Sequence, residues 1–347
     1  MNTKVVALVV VLVAVFSGGW YLLNQQEKRQ GNTVADAEGH NQLVIYSGRK
    51  EALILPIIQS FEEESGIDVI LKYGSTEELA HVLLQEGAQS QADVYISTDA
   101  SLLQELAIKG MFTPIISEFL SKIPQKYRAS DGLWTGVSGR ARVLIVNTDM
   151  LSESEYPDSI YDITDELWQG KVAMAKMTNE SVVTHMSAIR TLRGDDFIVD
   201  FLQGIKNNNV TLLSGHTAVR QAVARGEFPI GLVNHYYGHL QQQDSDNIAI
   251  LYTDQESDLD GSFVNVSGVG ILAAGDNTGG AQKFVHYLLT QSAQKQFAEL
   301  NYEFPLIKGI TSENTKNLGE FKEMDVDLHE VATKRQETLN LIKSQGL

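Results

Sequence analysis

Two adjacent tyrosines, Tyr236 and Tyr237, stand in the run Gly231-Leu232-Val233-Asn234-His235-Tyr236-Tyr237-Gly238. A strand sends neighbouring side chains to opposite faces, so two tyrosines serving one buried face would sit two apart. An adjacent pair at a strand end, just ahead of Gly238, suggests instead a turn that aims both phenols at one point. Phenolate is a hard anionic oxygen donor, and a hard trivalent cation such as Fe(III) prefers such oxygens. The dipeptide by itself also fits an ordinary aromatic pair packed in a strand. Its chemistry therefore depends on what surrounds it.

Two phenolates cannot fill a six-coordinate shell, so other oxygens must be found. Arg140 and Arg142 are candidates to hold a small oxyanion, because the planar guanidinium fork suits bidentate recognition. One of the two is expected to face a cleft. Thr178, Asn179 and Ser181 stand just before or at the start of a helical stretch, whose N-terminus attracts anions. The same trio also reads as plain helix capping. Arg49 and Glu51 follow the first strand, and Asp99 follows the third, so these three are further candidates for the cleft. His235 reads as a structural residue rather than a ligand.

The elements that must position these groups alternate. Leu43-Val44-Ile45-Tyr46 is a short apolar strand, followed by a helix with Leu53, Ile57, Ile58 and Phe61 on one face. Val69-Ile70-Leu71 is the next strand, and Ser75 or Thr76 is placed to cap a helix whose stripe is Leu79, Val82 and Leu83. Ala92 to Ile96 is the third strand, completing a parallel α/β unit. The alternation returns with strands at 172–174, 210–213, 230–233 and 266–273, and helices at 182–192, 217–225 and 281–300. In open α/β sheets, ligands bind beyond the carboxyl ends of strands. Residues 46–49, an expected turn at 138–142 and the tyrosine pair all fall at such ends or beside them.

Several segments together carry a family resemblance. They are Leu43-Val44-Ile45-Tyr46-Ser47-Gly48-Arg49-Lys50-Glu51, residues 61–69, Ala92-Asp93-Val94-Tyr95, residues 134–143, Asn234-His235-Tyr236-Tyr237, Val266-Ser267-Gly268-Val269-Gly270 and Tyr302-Glu303-Phe304-Pro305-Leu306. In this order, over residues 43–345, the chain resembles the periplasmic iron(III)-binding proteins of ferric uptake ABC transporters. The resemblance implies a two-lobe α/β periplasmic-binding-protein fold of type II, with a ligand cleft and several chain crossovers. Lobe 1 would hold 41–140 and 267–315, and lobe 2 would hold 141–266 and 316–347. It implies Tyr236 and Tyr237 as iron ligands. It further implies Arg142 as the better match to the family's anion-binding arginine, with Thr178, Asn179, Ser181 and Asn234 helping to hold a synergistic carbonate or phosphate. Other family ligand positions are empty: the first loop has no histidine, Thr98 stands where relatives carry a glutamate, and Val146 where some carry a third tyrosine. The implied partners are an ABC permease and its ATPase, with the protein itself a monomer.

Composition agrees with this class and excludes others. At 347 residues and 43% hydrophobic, the chain can bury a large core spread over about two domains. The absence of cysteine removes disulfides, thiolate metal sites and iron–sulfur clusters. A formal net charge of −17 argues against nucleic acid as a partner. Residues 1–25 read as an export signal or an N-terminal membrane anchor: Lys4 precedes an apolar run from Val5 to Leu23, and residues 26–40 follow as a polar linker. Either reading places the body in the periplasm, with membrane contact only if the segment stays uncleaved. No nucleophile elbow, phosphate-binding loop or zinc-protease motif is present, so no enzyme is expected. Two alternatives remain at this stage: a binding protein of the same fold for an organic cation or oxyanion such as thiamine, polyamine or phosphonate, and a membrane-tethered sensor.

Overall fold

The computed structural model describes residues 42–347. The expected signal or anchor and the linker lie outside these residues. Among the described residues, no helix is long and apolar enough to cross a membrane.

The first half opens with β1 (Gln42–Ser47), α1 (Glu51–Ser65), β2 (Asp68–Tyr73), α2 (Thr76–Glu86), β3 (Val94–Ser97), α3 (Ala100–Ile108) and β4 (Phe112–Thr113). β1 pairs in parallel with both β2 and β3, as the strand–helix alternation requires. Ile54, Ile57, Ile58 and Phe61 form the buried face of α1. Leu53, expected on that face, instead lines the cleft described below. Ser75 caps α2 by accepting from Glu78 N–H at 3.1 Å, the expected arrangement.

β5 (Trp134–Asn147) is a fourteen-residue strand, buried along its whole length. It serves two sheets. Through Ala141 it pairs antiparallel with β10, and from Arg142 onward it pairs with β8. The second half then follows: β6 (Val172–Ala175), α4 (Glu180–Arg193), α5 (Asp195–Asn207), β7 (Thr211–Leu213), α6 (His216–Ala224), β8 (Ile230–Asn234), α7 (His235–Gln242) and β9 (Ile248–Leu251). α5 has no counterpart in the strand–helix reading of the sequence. It buries Ile198, Phe201, Leu202 and Ile205, spaced at three and four residues.

The chain returns to the first half with β10 (Val264–Leu272), α8 (Thr278–Leu288), α9 (Gln291–Asn301) and β11 (Phe304–Pro305), and closes with α10 (Leu328–Ser344). The helix expected over 281–300 is two helices. Thr290 ends the first and caps the second, accepting from Ala293 N–H at 3.3 Å. Strand order is β2-β1-β3-β10-β5-β8-β6-β7, a mixed sheet in two groups that share β5. This is the two-lobe α/β architecture. α10 packs against both α4 and α3, one helix from each group.

Candidate functional site

The tyrosine pair is not in a turn. β8 runs straight into α7, and Tyr236 and Tyr237 are the second and third residues of that helix. The change of element alters the geometry of adjacency. Neighbours on a helix diverge by about 100°, not the half-turn of a strand, so two phenols can share one side. Their rings stack with centroids 4.2 Å apart and planes 30° apart. Both side chains are buried. Gly238 makes this placement feasible: a Cβ there would meet Ile250 Cγ1 at 2.6 Å and Ile145 Cγ2 at 3.1 Å, so α7 lies directly on β5 and β9.

Asn234 occupies the N-cap position of α7 but makes no capping hydrogen bond. Its Oδ1 accepts from Arg142 Nη1 at 3.1 Å instead. The first-turn amides of α7 are thereby left without a side-chain acceptor from their cap, and the positive end of the helix faces the region of the phenols. His235 is buried against Phe304, ring centroids 4.0 Å apart, and its Nδ1 accepts from Ala141 N–H at 3.2 Å. It is a structural histidine, as its sequence context suggests.

Arg140 and Arg142 lie inside β5 and not in a turn; of the two, Arg140 borders the cavity described below, whereas Arg142, the better family match, does not and instead binds Asn234. Both act on the tyrosine pair. Burial pushes the Arg142 guanidinium down to about 9, while the nearby phenols of Tyr236 and Tyr237 oppose that shift. Burial pushes the Tyr236 phenol well above its ordinary value, with the Tyr237 phenol adding to this and Arg140 opposing it. Arg140 donates from Nη2 to the Thr98 carbonyl. Arg140 Nε and Arg142 Nε and Nη2 are buried without a hydrogen-bond partner among the described residues. Buried donors of this kind call for an acceptor.

A cavity of about 110 Å³ is bordered by both tyrosines, Arg140, Asn234, Asn179 and Ser181. Arg49 also lines it, bound to Glu303 Oε2 at 2.9 Å, with Ser138 Oγ donating to the same oxygen at 2.6 Å. The cavity shares Gly48, Arg49, Lys50, Asn179 and Glu180 with a wider outer cleft of about 630 Å³, where Glu51 and Thr178 lie. Gly48 is required there, because any Cβ would collide with Thr76.

The trio before α4 divides its roles. Asn179 caps α4, its Oδ1 accepting from Ser181 N–H at 3.2 Å and Ser181 Oγ at 2.9 Å. Ser181 Oγ also lies 2.8 Å from His216 Nε2. The His216 ring stands 5.3 Å from that of Tyr237, and burial beside Arg142 holds it well below its ordinary value, hence neutral. Asp99 lines neither space. It caps α3 through Ser101 N–H at 2.8 Å and accepts from Thr184 Oγ1 at 2.6 Å and Asn265 Nδ2 at 3.0 Å. With its oxygens occupied, it is a structural carboxylate and not a cleft residue.

Four lining residues escaped the motif-level reading: Lys50, Glu180, His216 and Glu303. Glu303 and Lys50 stand inside segments that carry the resemblance, and Glu180 sits between two candidates, so position was a usable signal for three of them. Nothing in the sequence marks His216. Among the described residues, no group of three or more His, Asp or Glu side chains is arranged to hold a metal ion. The donors assembled here are phenols, carboxylates and hydroxyls, which suit a hard cation.

Comparison with known proteins bears on what such a site receives. A family described as bacterial extracellular solute-binding protein matches residues 89–325. The chain is 31% identical over 316 residues to iron uptake protein A1 of Synechocystis, covering 88% of this chain and 87% of that one. It is 28% identical to the Fe(3+)-binding periplasmic protein of Serratia marcescens, covering 88% of this chain and 90% of that one. Its fold is similar to that of an iron-bound protein from Pseudomonas aeruginosa, with a TM-score of 0.82 and 26% identity over 88% of this chain and 99% of that one.

Proposed function

Because the chain belongs to the bacterial extracellular solute-binding proteins, we propose that it captures Fe(III) in the periplasm and delivers it to an ABC permease for uptake. It is a binding protein and not an enzyme; ATP hydrolysis belongs to the transporter's ATPase. Relatives named for iron favour this cargo over the organic cations and oxyanions that the fold alone would allow.

The observation that carries the reading is the buried, stacked pair of phenols at the start of α7, beside two arginines and a cavity of about 110 Å³. In this reading Tyr236 and Tyr237 ligate iron as phenolates. The positive end of α7 and the two guanidinium groups offset the cost of burying negative oxygen. Arg140, with Asn179, Ser181 and Asn234, holds a small oxyanion such as carbonate or phosphate against the metal, and Arg142, bound to Asn234 and with buried donors that lack acceptors, backs it with charge. Thr178, Arg49 and Glu51 belong to the approach and the outer cleft. The lobes divide near Ala141 and Arg142, where β5 changes partners, and the protein acts as a monomer.

The test is a visible spectrum on adding Fe(III), where phenolate-to-iron charge transfer gives a band. Changing both Tyr236 and Tyr237 to Phe keeps the rings and removes the ligand oxygens, and the band is expected to vanish. A double variant with undiminished colour and affinity would place the metal elsewhere.

A further inference from the structure

Two carboxylates border the inner cavity, and they are not equivalent. Glu303 is committed. Its Oε2 receives both Arg49 at 2.9 Å and Ser138 at 2.6 Å, in a buried ion pair whose loss would strand the guanidinium. Glu180 is not committed. Its Oε1 accepts from Thr98 Oγ1 at 2.6 Å, and among the described residues no cation forms an ion pair with it. It opens α4, so its position is fixed by a helix rather than by a free loop. Among the described residues it is the one carboxylate that borders both the inner cavity and the outer cleft.

Charge gives this residue a task. A trivalent ion with two phenolates keeps one positive charge, Arg140 and Arg142 add two nearby, and a carbonate or phosphate dianion answers two of these three, leaving one. Excess positive charge in a buried site is costly unless an anion answers it. A carboxylate on the chain answers one charge and is itself a hard oxygen donor.

On the reading that the tyrosine pair is the iron site, we propose that Glu180 is a further ligand of the bound metal. One carboxylate oxygen comes from the first turn of α4, while Thr98, from the other half of the molecule, holds the second. Phenolates on α7 and a carboxylate on α4 then form a three-oxygen donor set within one half. The Thr98 hydroxyl fastens the opposite half to a ligand rather than to the metal. That hydroxyl also lies 2.7 Å from Thr76 Oγ1 at the start of α2, so the fastening reaches a helix of the first half.

The test uses the whole protein, with Fe(III) supplied as its nitrilotriacetate complex, and reads the visible band together with affinity by chelator competition. Glu180→Gln keeps an acceptor for Thr98 and removes the charge. It is expected to weaken binding on the order of 10–100-fold, the scale at which even outer partners of a metal act. The band should move to longer wavelength, because iron that has lost an anionic donor accepts charge from phenolate more readily. Glu180→Asp keeps the charge and should recover part of both changes, which separates ligation from a folding defect. Thr98→Val removes the hydroxyl but leaves the carboxylate, and should lower affinity while holding the band in place. If Glu180→Gln keeps wild-type affinity and band while the double Phe variant loses its colour, Glu180 is not a ligand and the tyrosine site stands. A band shift in Thr98→Val equal to that in Glu180→Gln would assign the effect to the contact between halves and overturn ligation. Wild-type protein without a phenolate band would overturn both the site and this ligand.

Discussion

Tyr236 sits where burial and charge pull in opposite directions. Burial raises its phenol well above the ordinary value, yet in the proposed role of iron ligand it must give up its proton. Metal and proton therefore compete. With two phenols deprotonated on binding, the logarithm of the apparent Fe(III) affinity should rise with a slope of about 2 per pH unit through the neutral range. Chelator competition across a pH series measures this; a flat profile would rule out phenolate ligands. Asp99 gives the contrasting case. Its carboxylate caps α3 and receives Thr184 and Asn265, so Asp99→Ala should cost about 2–4 kcal/mol in stability. A denaturant melt reads that loss, and Fe(III) affinity in the folded variant should be unchanged. At this scale the sequence disclosed the tyrosines and arginines, since their side-chain chemistry is rare and specific. It did not separate Glu180, which lines the same cavity as the phenols, from Asp99, which looks equally apt and is consumed by its neighbours. That distinction depends on partners up to 166 residues away in the chain.

The helix α7 matters more than the strand that precedes it. Sequence periodicity located β8 and the tyrosines, but two tyrosines before a glycine read as a turn. Gly238 in fact serves close packing inside a helix, where its missing Cβ leaves room for Ile250 and Ile145. Gly238→Val should therefore push α7 off β5 and β9. The expected cost is about 1–3 kcal/mol by overpacking, and the Fe(III) band should shift or weaken because the phenols move with the helix. A melt and a visible spectrum on the same sample decide it; an unshifted band in a destabilised protein would mean the pair is held by other contacts. The junction between α8 and α9 teaches the same lesson. Their apolar spacing runs on through Thr290, so only the hydroxyl's capping bond reveals the break. The parallel arrangement of β1, β2 and β3 was legible throughout, because alternating apolar runs and amphipathic helices leave few other solutions.

Across the whole molecule, contacts between the two strand groups converge on the site. Thr98 reaches Glu180, Lys50 Nζ lies 3.3 Å from Thr217 Oγ1, and Arg335 pairs with Glu77. A cargo that binds this joined state better than a parted one shifts the balance toward it by the difference in affinity and no more. Small-angle scattering should accordingly give a smaller radius for iron-loaded protein than for metal-free protein; equal radii would mean that the halves do not close on metal. Acid should act on the fold as well as on the site. His185, His216 and His235 are buried and held well below their ordinary value, so the folded chain keeps them neutral while the unfolded chain takes up protons below about 6.5. The stability they confer is complete above that pH and is lost as pH falls below it, by roughly 1.4 kcal/mol per pH unit for each histidine still neutral. Denaturant melts of metal-free protein from neutral to mildly acidic pH should follow that trend.

β5 crosses from one sheet to the other as one continuous strand, buried along its length and exchanging partners at Ala141 and Arg142. A ribbon of this kind bends and twists more readily than it stretches. Opening and closing about it would leave the two outer faces almost unchanged and alter only their mutual inclination. A transporter that grips both faces could then distinguish a full carrier from an empty one by span, as a calliper does, without touching the metal.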